Sequence, residues 1–247
     1  MIEYTIEIAT TGFNTTKSAV DGGADRIELC AALTEGGTTP SLGTIRMCRE
    51  AFGIQLFPII RPRGGDFLYS EDEFHVMEQD TSICKQLDCD GVVTGMLNKD
   101  GSIDIVRTQK LINLAYPMEV TFHRAFDRCR DPFEALEQLI SIGCQRILTS
   151  GQQLTAPKGI DLIAALVKAA NDRIIIMPGS GVRKENIKEL AERTGAKELH
   201  SSLRSAEKSK MEYIHPAFSQ SEESYMNPAI DAEEVRGMRR ALEGRGD

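Results

Sequence analysis

Gly22-Gly23-Ala24-Asp25-Arg26-Ile27-Glu28-Leu29-Cys30 is the stretch on which the fold turns. The paired glycines close a helix-spaced segment by offering the left-handed backbone that a helix C-terminus takes up at little cost. Ile27 and Leu29 then alternate with Arg26, Glu28 and Cys30, the period-two pattern of a strand with two unlike faces. The same succession of helix, glycine, short apolar run and ionisable end returns along the chain. Strands are predicted at Tyr4–Ala9, Arg26–Cys30, Gln55–Arg61, Gly91–Thr94, Met118–Arg124, Arg146–Ser150, Ile174–Pro178 and Glu198–Ser201. Helical spacing predicts helices near Thr15–Asp21, Ser41–Ala51, Ser70–Leu87, Ile103–Ala115, Pro132–Ile142, Ile160–Ala170 and Lys184–Arg193. Strict alternation of strand and helix calls for a parallel sheet covered by helices. Eight such units predict a single-domain α/β fold, the (β/α)8 TIM barrel.

Local signals agree. Ser41 can cap the second helix, Ser70 with Glu73 makes a capping-box pattern, and Asp131-Pro132 puts a cap before a proline at the first helical position. Gly22-Gly23, Gly53, Gly143 and Gly195 stand where helices should end. Gly23-Ala24-Asp25-Arg26-Ile27 is echoed by Gly143-Cys144-Gln145-Arg146-Ile147, and Ile59-Ile60-Arg61-Pro62 by Ile175-Ile176-Met177-Pro178. These offsets, 120 and 116 residues, are about half a barrel. Residues 1–204 are expected to form the barrel core. In 205–247 the pattern loosens over Arg204–Met211 and Ser219–Tyr225, read as loop. Helical character returns at Asp231–Glu243, either the eighth helix or an oligomer contact.

The 247 residues suffice for one large core, with 41% hydrophobic and 27% charged residues. A net charge of -8 argues against nucleic acid as a partner, because backbone-phosphate binding needs a basic face. No apolar run is long enough for a membrane span, and Met1-Ile2-Glu3-Tyr4-Thr5-Ile6-Glu7 lacks the basic start of a signal peptide, so a cytoplasmic protein is expected. The six cysteines (30, 48, 84, 89, 129 and 144) show no CxxC pair and read as reduced core thiols.

In a barrel of this kind the loops after the strands carry the chemistry. Polar residues collect there: Glu7, Glu28 and Cys30, Arg61 and Arg63, His123, Arg124 and Asp127, Ser150, then His200 and Ser202. Alternation turns Glu7, Glu28, Arg61 and His123 inward, which with Arg124 and Asp127 makes a mixed-charge cluster able to hold a proton in transit. The same cluster could instead be an ion-pair network closing the barrel. Gly179-Ser180-Gly181, ahead of a helix expected from Lys184, together with Arg63, Ser150 and Ser202 would grip a phosphate or carboxylate. The loop Arg61–Ser70, with two arginines, two glycines and Phe67, reads as a lid. His75 and His215 read as surface residues.

Six segments resemble the CutC family, whose members are named as copper homeostasis proteins. They are Gly22–Cys30, Gly36–Ser41, Ile60–Phe67, Val120–Asp127, Arg146–Gly151 and Ile176–Val182, spread over residues 3 to about 204. The resemblance implies a (β/α)8 barrel in the cytoplasm with a part in copper handling, and a Cu(I) pair made by Cys30 and a cysteine ending the first strand. Here that first position is Ala9, in Glu7-Ile8-Ala9, and Ser180 replaces a glycine of the family pattern Met-Pro-Gly-Gly-Gly-Val. A soft cation wants two thiolates, so Cys30 would need another partner, such as Cys129. The ligand is therefore expected to be a small anion or copper, in a protein able to form homo-oligomers.

Overall fold

The structure, a computed structural model, describes residues 3–219 and 225–244. Its strands are β1 (Thr5–Thr10), β2 (Arg26–Leu29), β3 (Gln55–Pro58), β4 (Gly91–Thr94), β5 (Glu119–Phe122), β6 (Arg146–Thr149), β7 (Ile175–Pro178), β8 (Glu198–Ser201), β9 (Ser205–Lys208) and β10 (Met226–Ala229). The helices are α1 (Phe13–Asp21), α2 (Leu42–Ala51), α3 (Glu71–Gln86), α4 (Ile105–Ala115), α5 (Pro132–Ser141), α6 (Ile160–Ala170), α7 (Ile187–Thr194) and α8 (Ala232–Glu243). Strands β1 to β8 form two parallel arcs, β3-β2-β1-β8 and β4-β5-β6-β7, which together make the α/β barrel. The arcs meet just past β3, where Ile59 bridges to Val93 and the Ile60 amide donates to the Val93 carbonyl at 2.7 Å.

Helix starts follow the local chemistry. The Ser41 hydroxyl accepts from the Thr44 amide, Ser70 and Glu73 complete a reciprocal capping box, and Asp131 accepts from Phe133 and Glu134 ahead of Pro132. Helix ends at Gly23, Gly143 and Gly195 take positive φ. Gly53 does not: α2 stops one residue earlier, at an extended Phe52. The expected third strand also shortens, because beyond Pro58 the chain leaves β2 for β4. Helix α7 begins at Ile187 rather than Lys184, since the Asn186 side chain accepts from the Arg183 amide and holds the preceding turn apart.

The outward strand faces carry the main apolar core, including Ile6, Ile8, Ile27, Leu29, Val120 and Phe122, packed against the helices. Past β8, part of the stretch read as loop pairs instead: β9 and β10 are antiparallel, with Ser205 opposite Ala229. Of the expected Ser219–Tyr225 loop, 220–224 lie outside the described residues. Helix α8 packs on the barrel beside α1 and α7. Gly22 permits this approach, because a Cβ there would stand 2.6 Å from Val235 Cβ and 2.7 Å from the Ala232 carbonyl oxygen. No described helix is long and apolar enough to cross a membrane.

Candidate functional site

The inward faces stack three polar tiers. Lowest is an ion-pair layer across the barrel interior. Arg26 Nε donates to Glu7 Oε2 at 2.5 Å, and its terminal nitrogen reaches Glu198. Arg146 Nε donates to the same Glu198 carboxylate at 2.6 Å and its other arm reaches Glu119 at 3.1 Å. Both guanidinium groups stand over the Phe57 ring, 5.1 and 5.5 Å from its centre. Sequence reasoning missed this layer, although the half-barrel repeat that pairs Arg26 with Arg146 was the signal.

The middle tier joins β1, β2 and β8. Parallel register sets Glu7 opposite His200 and Ala9 opposite Glu28. His200 Nδ1 donates to Glu7 Oε1 at 2.8 Å, while its Nε2 lies 3.6 Å from Glu28 Oε2. All three are buried. Burial pushes the Glu7 carboxyl up, but Arg26 and His200 together outweigh it and hold it well below the carboxylate range. At Glu28 burial wins over the attraction of His200, and the neighbouring Glu7 charge adds to it, so the carboxyl is pushed up to about 7. Burial lowers His200, yet its bond to Glu7 and the charge of Glu28 raise it above the usual imidazole value. His200 was named at its strand end but not counted among the candidate catalytic residues.

Above lies a cavity of about 480 Å³, whose wall includes Glu28, His123, His200, Arg128, Arg183 and Ser202. Among the described residues the Arg128 and Arg183 guanidinium groups make no salt bridge, although the charge of Arg128 reaches Asp66. Gly181 and Ser180 join that wall in consecutive left-handed conformations, φ 72 and 75. His123 is packed on Gly95 and 4.9 Å from the Phe67 ring. Its Nδ1 accepts from the Ala125 amide at 3.1 Å. Burial, with Arg61 and Arg124 near, lowers it to about 3, so it stays neutral with its proton on Nε2. A second cavity of about 440 Å³, between Thr10 and Pro228, presents Arg204 as its one ionisable side chain and is the poorer place for proton chemistry.

Several expected residues serve the walls instead. Arg61 reaches the mouth, but its terminal nitrogens donate to the backbone carbonyls of Glu35, Gly37 and Gly65, tying two loops together. Arg63 does not reach it: the side chain pairs with Glu73 and Asp66 and lies over Tyr69. Asp127 accepts from Thr149, Ser150 and Gln152 as well as Arg124, a knot that occupies Arg124 and encloses the Ser150 hydroxyl. The Gly179 amide donates to Thr149 and the Ser180 hydroxyl to Leu154, so neither group is offered to a ligand. Phe67, from the loop read as a lid, lies between Arg61 and Arg128, 5.1 and 5.5 Å from their guanidinium carbons.

The CutC family model matches residues 4–205, which take in all eight strands from β1 to β8. The chain belongs to the CutC family. A CutC family protein from Parabacteroides distasonis is 57% identical over 84% of this chain and 86% of its own length. One from Chromobacterium violaceum is 46% identical over 96% and 98%. The solved CutC structure from Streptococcus agalactiae, which carries a provisional copper-homeostasis name, superposes with a TM-score of 0.77 at 33% identity, covering 81% of this chain and 98% of that one. Phosphoribosylanthranilate isomerase from Pyrococcus furiosus, at 12% identity and a TM-score of 0.56, shares the barrel fold alone.

The family name raises copper, and the mouth fits it poorly. Position 9 is alanine, and Cys30 is sunk among Phe57, Ile59 and Val93 with its sulfur against Gly37. Burial and the neighbouring Glu28 push that thiol well above its ordinary range, against the thiolate that Cu(I) needs. Cys129 is buried elsewhere, with Gln152 on its sulfur, and its thiol is pushed up to about 11 by burial and by Asp127.

Proposed function

We propose that this CutC-family barrel takes a small phosphorylated or carboxylated molecule at its mouth and moves a proton to or from it through Glu28. The observation that carries the reading is one juxtaposition: a buried carboxyl poised near neutrality opens on a cavity whose wall holds two arginines, Arg128 and Arg183, that make no salt bridge among the described residues. Arg128 and Arg183 would meet the ligand's anion. His123, neutral and with its Nε2 proton unclaimed by any protein acceptor, suits a developing oxyanion better than a second cation would. Glu28 exchanges the proton, and His200, held by Glu7, stabilises its charged form. The six free, buried cysteines suit the reducing cytoplasm.

Thermal unfolding with inorganic phosphate tests the anion site. Millimolar phosphate is expected to raise Tm by linkage, and Arg183→Ala to abolish that rise while leaving the phosphate-free Tm within a degree or so. Wild-type protein indifferent to phosphate, or an Arg183→Ala variant that still responds fully, would overturn the proposal. Arg61→Ala should behave differently: three loop carbonyls lose their donor, at about 1 kcal/mol or more each, and Tm falls with or without phosphate.

A further inference from the structure

The cavity of about 440 Å³ beside the mouth lies against the β9–β10 ribbon, and its wall is mostly apolar: Ala31, Ala32, Met226, Pro228, Ala229 and Ile230 face it. It is continuous with the mouth wall. Ala9, Leu33, Ser202 and Arg204 line both this cavity and the mouth of about 480 Å³. Strand order explains the shared wall, because β1 lies between β2 and β8, so the loop leaving β2 and the chain leaving β8 meet over the end of β1. There Arg204 Nη1 donates to the Leu33 carbonyl at 2.9 Å, and Arg204 makes no salt bridge among the described residues.

Both ends of that bond adjoin backbone that is costly to hold. Ala32 and Leu203 take left-handed φ of 44 and 41, whereas the other non-glycine residues with positive φ (Asp88, Gln152, Asn171, Asp172 and Ser180) all carry polar side chains. Short polar side chains ease the left-handed conformation by bonding locally, and alanine and leucine have no such means. Strain of this kind persists only where the surroundings over-determine it, and it collects at ligand clamps. Here it brings Leu33 and Arg204 together on the line between the two cavities.

The cavities differ in chemistry. The mouth offers Arg128, Arg183 and the proton of Glu28, while the second cavity has Arg204 at its edge and otherwise aliphatic side chains with a few hydroxyls and one amide. Each is large enough for part of a small molecule. A ligand with a charged end and an apolar end would satisfy both, and two arginines suit the nearly double charge of a phosphate monoester better than the single charge of a carboxylate.

We propose that the two cavities are one site whose ligand is a phosphate monoester of an apolar alcohol. Its phosphate lies toward Arg128 and Arg183, and its chain passes Ala9 and Ser202 into the space against the β9–β10 ribbon. The inference rests on the reading of the mouth as an anion site, and adds the apolar tail.

Calorimetric titration of the full chain with inorganic, methyl, butyl and hexyl phosphate tests it. Burial of the chain should tighten binding by about two- to fourfold per methylene until the second cavity is filled, so hexyl phosphate should bind at least about tenfold more tightly than methyl phosphate. Ala206→Phe, on the exposed ribbon, puts a ring into that cavity and should erase the gain. Ala229→Phe on the facing strand is a second variant with the same expected result, and circular dichroism and Tm verify both folds. Arg183→Ala should instead weaken all three esters alike. A protein that binds inorganic phosphate but takes methyl and hexyl phosphate equally would overturn this proposal and leave the mouth reading standing; one that binds none of the four would overturn both. A chain-length gain that survives both phenylalanine variants would put the tail elsewhere and overturn the proposal as well.

Discussion

At Glu28 one carboxyl links the chemistry of the mouth to the stability of the barrel. Its folded-state value of about 7 stands above the ordinary 4.5, so burial favours the neutral acid. The associated stability is fully present below about 4.5 and is lost as pH rises through 7, when the folded protein must hold a buried charge that the unfolded chain leaves in water. The full difference is of the order of 3 kcal/mol, from about 1.4 kcal/mol per pH unit. Glu28→Gln should therefore gain stability relative to wild type between pH 5 and pH 8, which paired urea titrations at the two pH values would show; a constant difference would place the carboxyl in the ordinary range. Glu7, held low by Arg26 and His200 despite its burial, works oppositely: its contribution is present above 4.5 and lost on acidification.

At the scale of elements, β2 and β6 bring Arg26 and Arg146 onto the shared Glu198 of β8, so the barrel interior is tied by charge as well as by apolar packing. Arg26→Met leaves Glu7 without its guanidinium in a dry interior and removes one of the two arginines on Glu198. Breaking a buried pair in this way costs about 3–5 kcal/mol. The exposed Lys17–Asp21 pair on α1 makes the contrast, since Lys17→Ala should shift stability by less than about 0.5 kcal/mol. Denaturant midpoints of the two variants would separate these cases, and equal effects would show that the interior layer is not load-carrying. The start of α3 is a smaller, local device. Ser70→Ala removes the acceptor for the Glu73 amide and should cost about 1 kcal/mol.

Over the whole molecule the circuit of helices is completed by the last one. Helix α8 sits over the end of α1, where Gly22 meets Val235, and Arg239 reaches back to the Tyr4 carbonyl and to Asp25. Lys184 pairs with Glu234 on the other side. Gly22→Val forces side-chain atoms into space already held by Val235 and the Ala232 carbonyl, so α8 must shift. Overpacking of this kind costs about 1–3 kcal/mol. The expected outcome is a lower Tm with faster amide exchange confined to α8 and its neighbours; unchanged exchange in α8 would show that the contact is slack.

Periodicity and turn chemistry are local properties, and they were legible without the structure. Alternation placed Glu7, Glu28 and His123 inward, the caps Ser41, Ser70 and Asp131 lie where their side chains can reach free amides, and the family motifs run the length of the barrel. What alternation cannot supply is partnership across the barrel. Whether Arg61 faces a ligand or three loop carbonyls, and whether Arg63 points to the mouth or to Glu73, depends on residues brought near only when the strands close. The Arg26–Glu198–Arg146 layer and the Glu7–His200–Glu28 chain join positions up to 193 residues apart. Neighbours then decide how burial is answered: Arg26 and His200 outweigh it and hold Glu7 low, whereas at Glu28 burial prevails, with the Glu7 charge adding to it. Sequence determined the barrel and the inward faces because backbone period and capping act within a few residues. Tertiary structure alone decided which charges are paired, which are open to a ligand and which hold a proton, because desolvation and Coulomb forces act through space.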